Sequence, residues 1–228
     1  YNSADFYDLF GPTRTSRKGY SAGIDYGRML IRDTPRTLDL KLSATGYSGL
    51  ERLPDAQNIA TSAGFDRMIA PTATLTYKHT RSSLGSVDTE KGHLWTLEGS
   101  LNTVRFERLG DAAWRGFPQV AGSLDAGLPL PVPHSSVWLR SAAGYSPGDP
   151  AEPFANFFFG GFGNNWVDRQ DPRRYRRYES FPGIALDGAG GTDFGRALVD
   201  VNLPPLRFRH LGTLDLYAAW ARMSVFAG

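Results

Sequence analysis

Cysteine is absent from the 228 residues, which removes disulfides, thiolate nucleophiles and cysteine-ligated metals together. That absence is compatible with an oxidising envelope compartment. No run of about 18 apolar residues occurs, so no bundle of membrane-crossing helices is encoded. An excess of one charge is missing too. With 25 basic and 23 acidic residues the net charge is +2, and no global field points to nucleic acid or acidic lipid. His79, His93, His134 and His210 lie far apart with no His-x-x-x-His spacing, so no metal site is predicted. No Gly-x-Ser-x-Gly elbow accompanies Ser135 and Ser136. Neither Gly160-Gly161-Phe162-Gly163 nor Gly188-Ala189-Gly190-Gly191 carries the Lys-Ser/Thr of a phosphate loop. The sequence therefore predicts no enzyme, no catalytic residue and no cofactor.

What the chain has instead is alternation. From Thr37 to Gly46, Thr, Asp, Lys, Ser and Thr occupy the odd positions, and Leu, Leu, Leu, Ala and Gly the even ones. Successive side chains of a strand point to opposite faces, so one face here is greasy and the other wet and partly charged. Thr72–His79 repeats the pattern, and 95–102, 120–128 and 198–203 follow it. Asp39, Glu98, Asp125 and Asp200 recur at mid-strand on the wet side. The 26 Gly, the 15 Pro and a 13% aromatic share also fit β structure better than helix.

Runs of about ten residues, enough to cross a bilayer when tilted, fall near 18–31, 36–47, 67–81, 92–106, 117–129, 136–146, 194–203 and 213–226. Between them a tight turn at Asp33-Thr34-Pro35-Arg36 contrasts with longer segments at 48–66 and 81–91. Short turns on one side and long loops on the other are the habit of membrane barrels. Aromatics such as Tyr26, Tyr77, Trp95, Trp138, Tyr145 and Trp220 stand near strand ends, as interfacial girdles do. The fold class read from this is all-β: an antiparallel transmembrane β-barrel, or the C-terminal part of one, over 1–228. The competing reading is a soluble β-sandwich or lipocalin-like binder, whose polar positions face bulk water. Residues 146–191 form a long insertion rich in Gly, Pro, Asn and Arg, yet its Phe157, Phe158, Phe159, Phe162 and Trp166 argue that it folds onto something. In a barrel that something is the lumen or its mouth.

The block Phe157-Phe-Phe-Gly-Gly-Phe-Gly-Asn-Asn-Trp-Val-Asp168, continuing through Tyr175-Arg-Arg-Tyr-Glu-Ser-Phe-Pro-Gly183 to Asn202-Leu-Pro-Pro-Leu-Arg-Phe208, resembles barrels of the bacterial surface antigen superfamily. That superfamily includes outer-membrane assembly factors and two-partner secretion pores. The likeness is nearest to its branch with a TolB-like propeller before the barrel, a flavour shared by Asp5-Phe-Tyr-Asp-Leu-Phe-Gly-Pro-Thr13. The resemblance implies a long loop folded into the lumen and anchored by an Arg at its tip. The equivalent stretch here holds Arg176, Arg177, Ser180, Phe181, Pro182 and Gly183, with either Arg176 or Arg177 as the anchor. It departs from the superfamily's Arg-Gly-aromatic motif, which Ser180-Phe181-Pro182-Gly183 replaces. Glu98, Asp125 and Asp200 are the candidate wall carboxylates for that Arg, since a guanidinium grips a carboxylate with two parallel bonds. The superfamily has more strands after this loop, so a partial chain is expected.

The function this implies is non-catalytic: transport, secretion or insertion of polypeptides across a bacterial outer membrane, with a lumen-plugging loop. The alternative is a barrel that anchors or scaffolds a larger envelope complex. Outer-membrane lipids, lipopolysaccharide included, and a protein substrate or partner subunit are the expected partners. Arg169, Arg173 and Arg174 beside Tyr175 invite a nucleic-acid reading, but the rest of the chain has no basic surface, and nucleic acid is not expected.

Overall fold

A computed structural model describes residues 2–7, 16–52, 65–86, 88–108, 111–152, 154–160, 178–179, 181, 183–184, 189–213, 216–221 and 224–227. In chain order the strands are β1 (Asn2–Tyr7), β2 (Ser16–Asp33), β3 (Arg36–Arg52), β4 (Phe65–Arg81), β5 (Lys91–Arg108), β6 (Asp111–Pro129) and β7 (Ser136–Tyr145). After these come β8 (Phe157–Phe159), β9 (Tyr178–Glu179), β10 (Ala189–Gly191), β11 (Asp193–Asn202), β12 (Leu206–Thr213), β13 (Leu216–Ala221) and β14 (Ser224–Ala227). Among the described residues there is no helix; the protein is all-β.

Nine strands form one sheet in the order β1-β2-β3-β4-β5-β6-β7-β11-β14, every pair antiparallel. β8 lies between β10 and β9 in a small second sheet, and β12 pairs with β13 in a third. Sequence neighbours therefore pair from β1 to β7. β7 and β11 meet across the long 146–192 excursion, and β11 and β14 across β12 and β13; the main chain closes the first, since Ser146 N donates to Thr192 O at 2.8 Å.

The register fixes which residues share a face. One level of the sheet runs through Leu40, Leu75, Leu97, Gly122, Ala143 and Gly195. The next runs through Asp39, Thr76, Thr96, Ser123, Ala142 and Arg196 and points the other way. The greasy face is bare: Ile24 is 73% exposed and Leu128 69%, and Leu42, Leu97, Leu124, Leu139 and Val199 are exposed with them. From the level of Leu38 to that of Gly46, only Arg28 and Asp193 bring charge to it among the described residues. The outward Ser141 returns its hydroxyl proton to the carbonyl of Leu124 at 3.0 Å, leaving no donor open. On β6 this face runs from Pro118 to Leu128, roughly 23 Å for a strand rising about 3.3 Å per residue at a tilt of about 45°. That is close to the roughly 25 Å apolar band of an outer-membrane barrel.

The wet face is open at β2 and β3, where Lys41 and Asp25 are exposed, and covered over much of β4–β7 and β11. Toward the 53–64 and 109–110 connections it carries the apolar core, Tyr47, Met68, Ala70, Val104 and Phe117, closed over by Phe154 and Ala155 from the segment after β7. Toward the other end it carries charge.

Seven of the eight runs read from the sequence coincide with β2–β7 and β11, most ends within two residues, but β3 runs on to Arg52 and β6 begins at Asp111. The run at 213–226 does not hold as one strand. It is divided between β13, which pairs with β12, and β14, which pairs with β11. Loop lengths also sort differently from the expectation. The turn at 34–35 and the longer 82–90 and 130–135 connections share one end, while the two-residue 109–110 connection lies at the other with 53–64 and the 146–192 excursion.

Candidate functional site

At the charged end of the covered face, three neighbouring strands each contribute one residue. Asp125 on β6 stands directly opposite Arg140 on β7, and Asp200 on β11 lies diagonally beside it. The Arg140 guanidinium donates from Nη1 to Asp125 Oδ2 at 2.7 Å and from Nε to Asp200 Oδ2 at 2.5 Å. It also sits 5.6 Å from the ring centroid of Trp138, two residues along the same strand. The planar fork reaches the two carboxylates from two separate nitrogens in a fixed geometry, which a single ammonium nitrogen does not reproduce, so this position suits Arg better than Lys. The triad is a staple across β6, β7 and β11.

Trp138 is 3% exposed and lies flat on Gly127, its partner on β6; a Cβ at Gly127 would fall 2.3 Å from the indole. Its Nε1 donates to Thr89 O at 3.2 Å and to Ser136 Oγ at 3.1 Å, tying the 82–90 loop to the sheet. Beyond it, Glu90 accepts from the Ser83 hydroxyl at 2.9 Å and from the Ser83 amide at 3.1 Å, and His134 Nδ1 stands 3.3 Å from the same carboxylate. Burial pulls the Glu90 carboxyl upward, but the Ser83, His134 and Ser86 hydrogen bonds outweigh it and hold its pKa below the ordinary glutamate value. Ser83, His134 and Glu90 have the residue types of a hydrolase triad without its geometry. Both oxygens approach one ring nitrogen, Nδ1, so the imidazole cannot pass a proton from the serine through its second nitrogen to the acid. The cluster latches the 82–90 and 130–135 turns together.

At the opposite end the segment after β7 folds onto the sheet. Phe154 stacks on Phe117 at 5.5 Å and meets Phe106 edge-on at 5.9 Å. Two buried amides hold its backbone: Asn102 donates to Phe154 O at 3.4 Å and Gln119 to Asn156 O at 3.2 Å. Glu152 pairs with Arg115 at 3.5 Å. Phe157, 1% exposed, packs against Phe194 of β11 at 5.0 Å, over Gly144, where a Cβ would fall 2.4 Å from the Phe194 ring. Gly144 is thus the seat of the segment.

Of the residues singled out by sequence, Asp125 and Asp200 come together around one guanidinium. Glu98 stands apart, four residues along β5 from the position opposite Asp125, and accepts from Thr74 Oγ1 at 3.2 Å. Phe181 is exposed and its carbonyl accepts from Ile184 N at 3.2 Å, while Gly183 takes φ +99° in the same turn. Arg176, Arg177, Ser180 and Pro182 lie outside the described residues, as do Arg169, Arg173, Arg174 and Tyr175. The sequence patterns do not single out Arg140. A lone Arg at a wet position of a strand, between strands that each carry a wet Asp, is the signal that points to it. Among the described residues no group of three His, Asp or Glu is placed to hold a metal ion.

No protein-family model matches the chain, and no curated protein matches it.

Proposed function

We propose that the protein is an integral outer-membrane β-barrel, or part of one, whose bare face meets lipid and whose covered face lines a lumen plugged by the segment after β7. In this reading it acts without catalysis in the transport, secretion or insertion of polypeptides. The observation that carries the reading is the division of the two faces. Leucines, valines and small residues lie uncovered on one side, while the Asp125–Arg140–Asp200 cluster and, apart from it, Glu98 lie on the other. A soluble sandwich has the reverse arrangement, with its charges in water and its leucines in the core. The likeness of residues 157–208 to the bacterial surface antigen superfamily supports the same reading, and the outer-membrane lipids, lipopolysaccharide among them, are its natural surroundings. Two measurements test it. The protein should need detergent or lipid to stay dispersed and should run heat-modifiably on gels; free solubility without either overturns the membrane reading. In planar bilayers, Phe154→Ala should raise conductance by loosening the plug.

A second reading has its own support. Asn102 and Gln119 are buried and hydrogen-bonded to the main chain of the 154–156 segment, as residues of a fixed core are. A permanently filled interior fits a membrane anchor or scaffold subunit of an envelope complex. Absence of conductance in both the parent protein and Phe154→Ala, with a partner that co-purifies, selects this reading.

A further inference from the structure

On the bare face, β4 and β5 change character in register as they approach the 82–90 loop. The cross-strand pairs in succession are Leu75–Leu97, Tyr77–Trp95, His79–His93 and Arg81–Lys91. Each step is two residues, about 6.6 Å along the strand. The rings are ordered as a unit: Tyr77 stacks with Trp95 at 5.7 Å and with His93 at 5.4 Å, and His79 meets His93 edge-on at 5.5 Å. At the top of the ladder two exposed cations stand directly opposite one another, and among the described residues neither side chain has an ion-pair partner. Like charges so placed repel. The nearest carboxylate in sequence, Glu90, is turned away into the latch with Ser83 and His134. Arg81, Lys91, His79, His93, Leu128 and Pro129 line an open groove of about 630 Å³.

We propose that this groove holds the phosphate of an anionic membrane lipid between Arg81 and Lys91, with the acyl chains descending over Tyr77, Trp95, Leu75 and Leu97. The proposal rests on the reading of the bare face as lipid-facing and adds a defined headgroup site to it. A lipid supplies both halves of what the ladder offers, an anion for the cations and hydrocarbon for the leucines. A free anion would use only the first. Two cations held at the edge of an apolar band are also the arrangement by which basic residues gain from an anionic membrane surface.

The test is quenching of tryptophan fluorescence in the protein refolded into phosphatidylcholine vesicles with a minor share of phosphatidylglycerol, bromine being carried in the acyl chains of one lipid or the other. The parent protein should favour phosphatidylglycerol. Arg81→Gln and Lys91→Gln should each lower that preference about fivefold, while Arg81→Lys should keep it. Trp95→Phe should remove the selective part of the quenching. Equal quenching by both lipids in the parent protein overturns the phosphate site and leaves the membrane reading standing. Absence of quenching by either lipid overturns both. A selective signal that survives Trp95→Phe places the site elsewhere and overturns the assignment.

Discussion

Toward the 109–110 connection the covered face is held chiefly by packing, with two amides and one ion pair beside it; toward the 82–90 and 130–135 turns it is held by charge and directed hydrogen bonds. At the first end Tyr47, Met68, Val104, Phe117 and Phe154 fill space, and what matters is volume. At the second, Arg140 holds two carboxylates and Trp138 and Glu90 hold a loop, and what matters is geometry. The first end needs a visiting segment to be complete. The second is completed by the sheet and its own turns. One wall thus offers a place where a segment docks and a place where strands are stapled, and the two are open to separate attack.

The largest effect should come from the packed end. Phe154→Ala removes the ring that closes over Phe106 and Phe117 and should cost about 3–5 kcal/mol, read as a lower unfolding temperature in detergent; Phe154→Leu should recover much of it. If the loss is small, the segment is not what holds that end. Next is the staple. Arg140→Ala leaves Asp125 and Asp200 without their cation at a partly exposed site, so the loss should fall at or below the low end of about 3–5 kcal/mol. Arg140→Lys should rescue it only in part, because an ammonium cannot reproduce the fork; full rescue by Lys would reduce the triad to simple charge balance. Gly127→Ala should follow at about 1–3 kcal/mol, since its methyl group must displace the Trp138 indole, and near-ultraviolet circular dichroism should record the shift.

The smallest effect is the latch, at about 1 kcal/mol, and it has a pH signature. Because the Glu90 carboxyl is held below its ordinary value, its contribution is fully present above the unfolded value, about 4.3, and is lost as pH falls through the lowered folded value. Stability of the parent protein and of Glu90→Gln should therefore differ at neutral pH and converge in acid. A constant difference across that range would show that the carboxylate charge does not hold the turns.

The packed end and the charged end were not equally legible in the sequence. Alternation gave away β2–β7 and β11, because a period of two is a local property. It also marked Asp125 and Asp200 as wet. It could not mark Arg140 as their shared partner, because that depends on the register of β6 with β7 and of β7 with β11, which no local pattern encodes. The same limit explains 213–226, where a strand-like run conceals a change of partner between β13 and β14. β8 and β10 are too short to leave a period, though the run of phenylalanines at 157–159 announced that something there is buried.

The pinned neck at Ser146 and Thr192 bears on the order in which the sheet assembles. From β1 to β7 each strand is zipped onto its predecessor, and every closure is local. β11 has no such partner waiting in sequence. Its ten-residue register with β7, from Asp193 opposite Tyr145 to Asn202 opposite Ser136, can form only after the excursion has turned back to its point of departure. The entropy of that closure falls on one step, so the joining of β11 is expected to be slower than the local closures from β1 to β7. The staple that Asp200 completes can consequently be fastened only once the excursion is home.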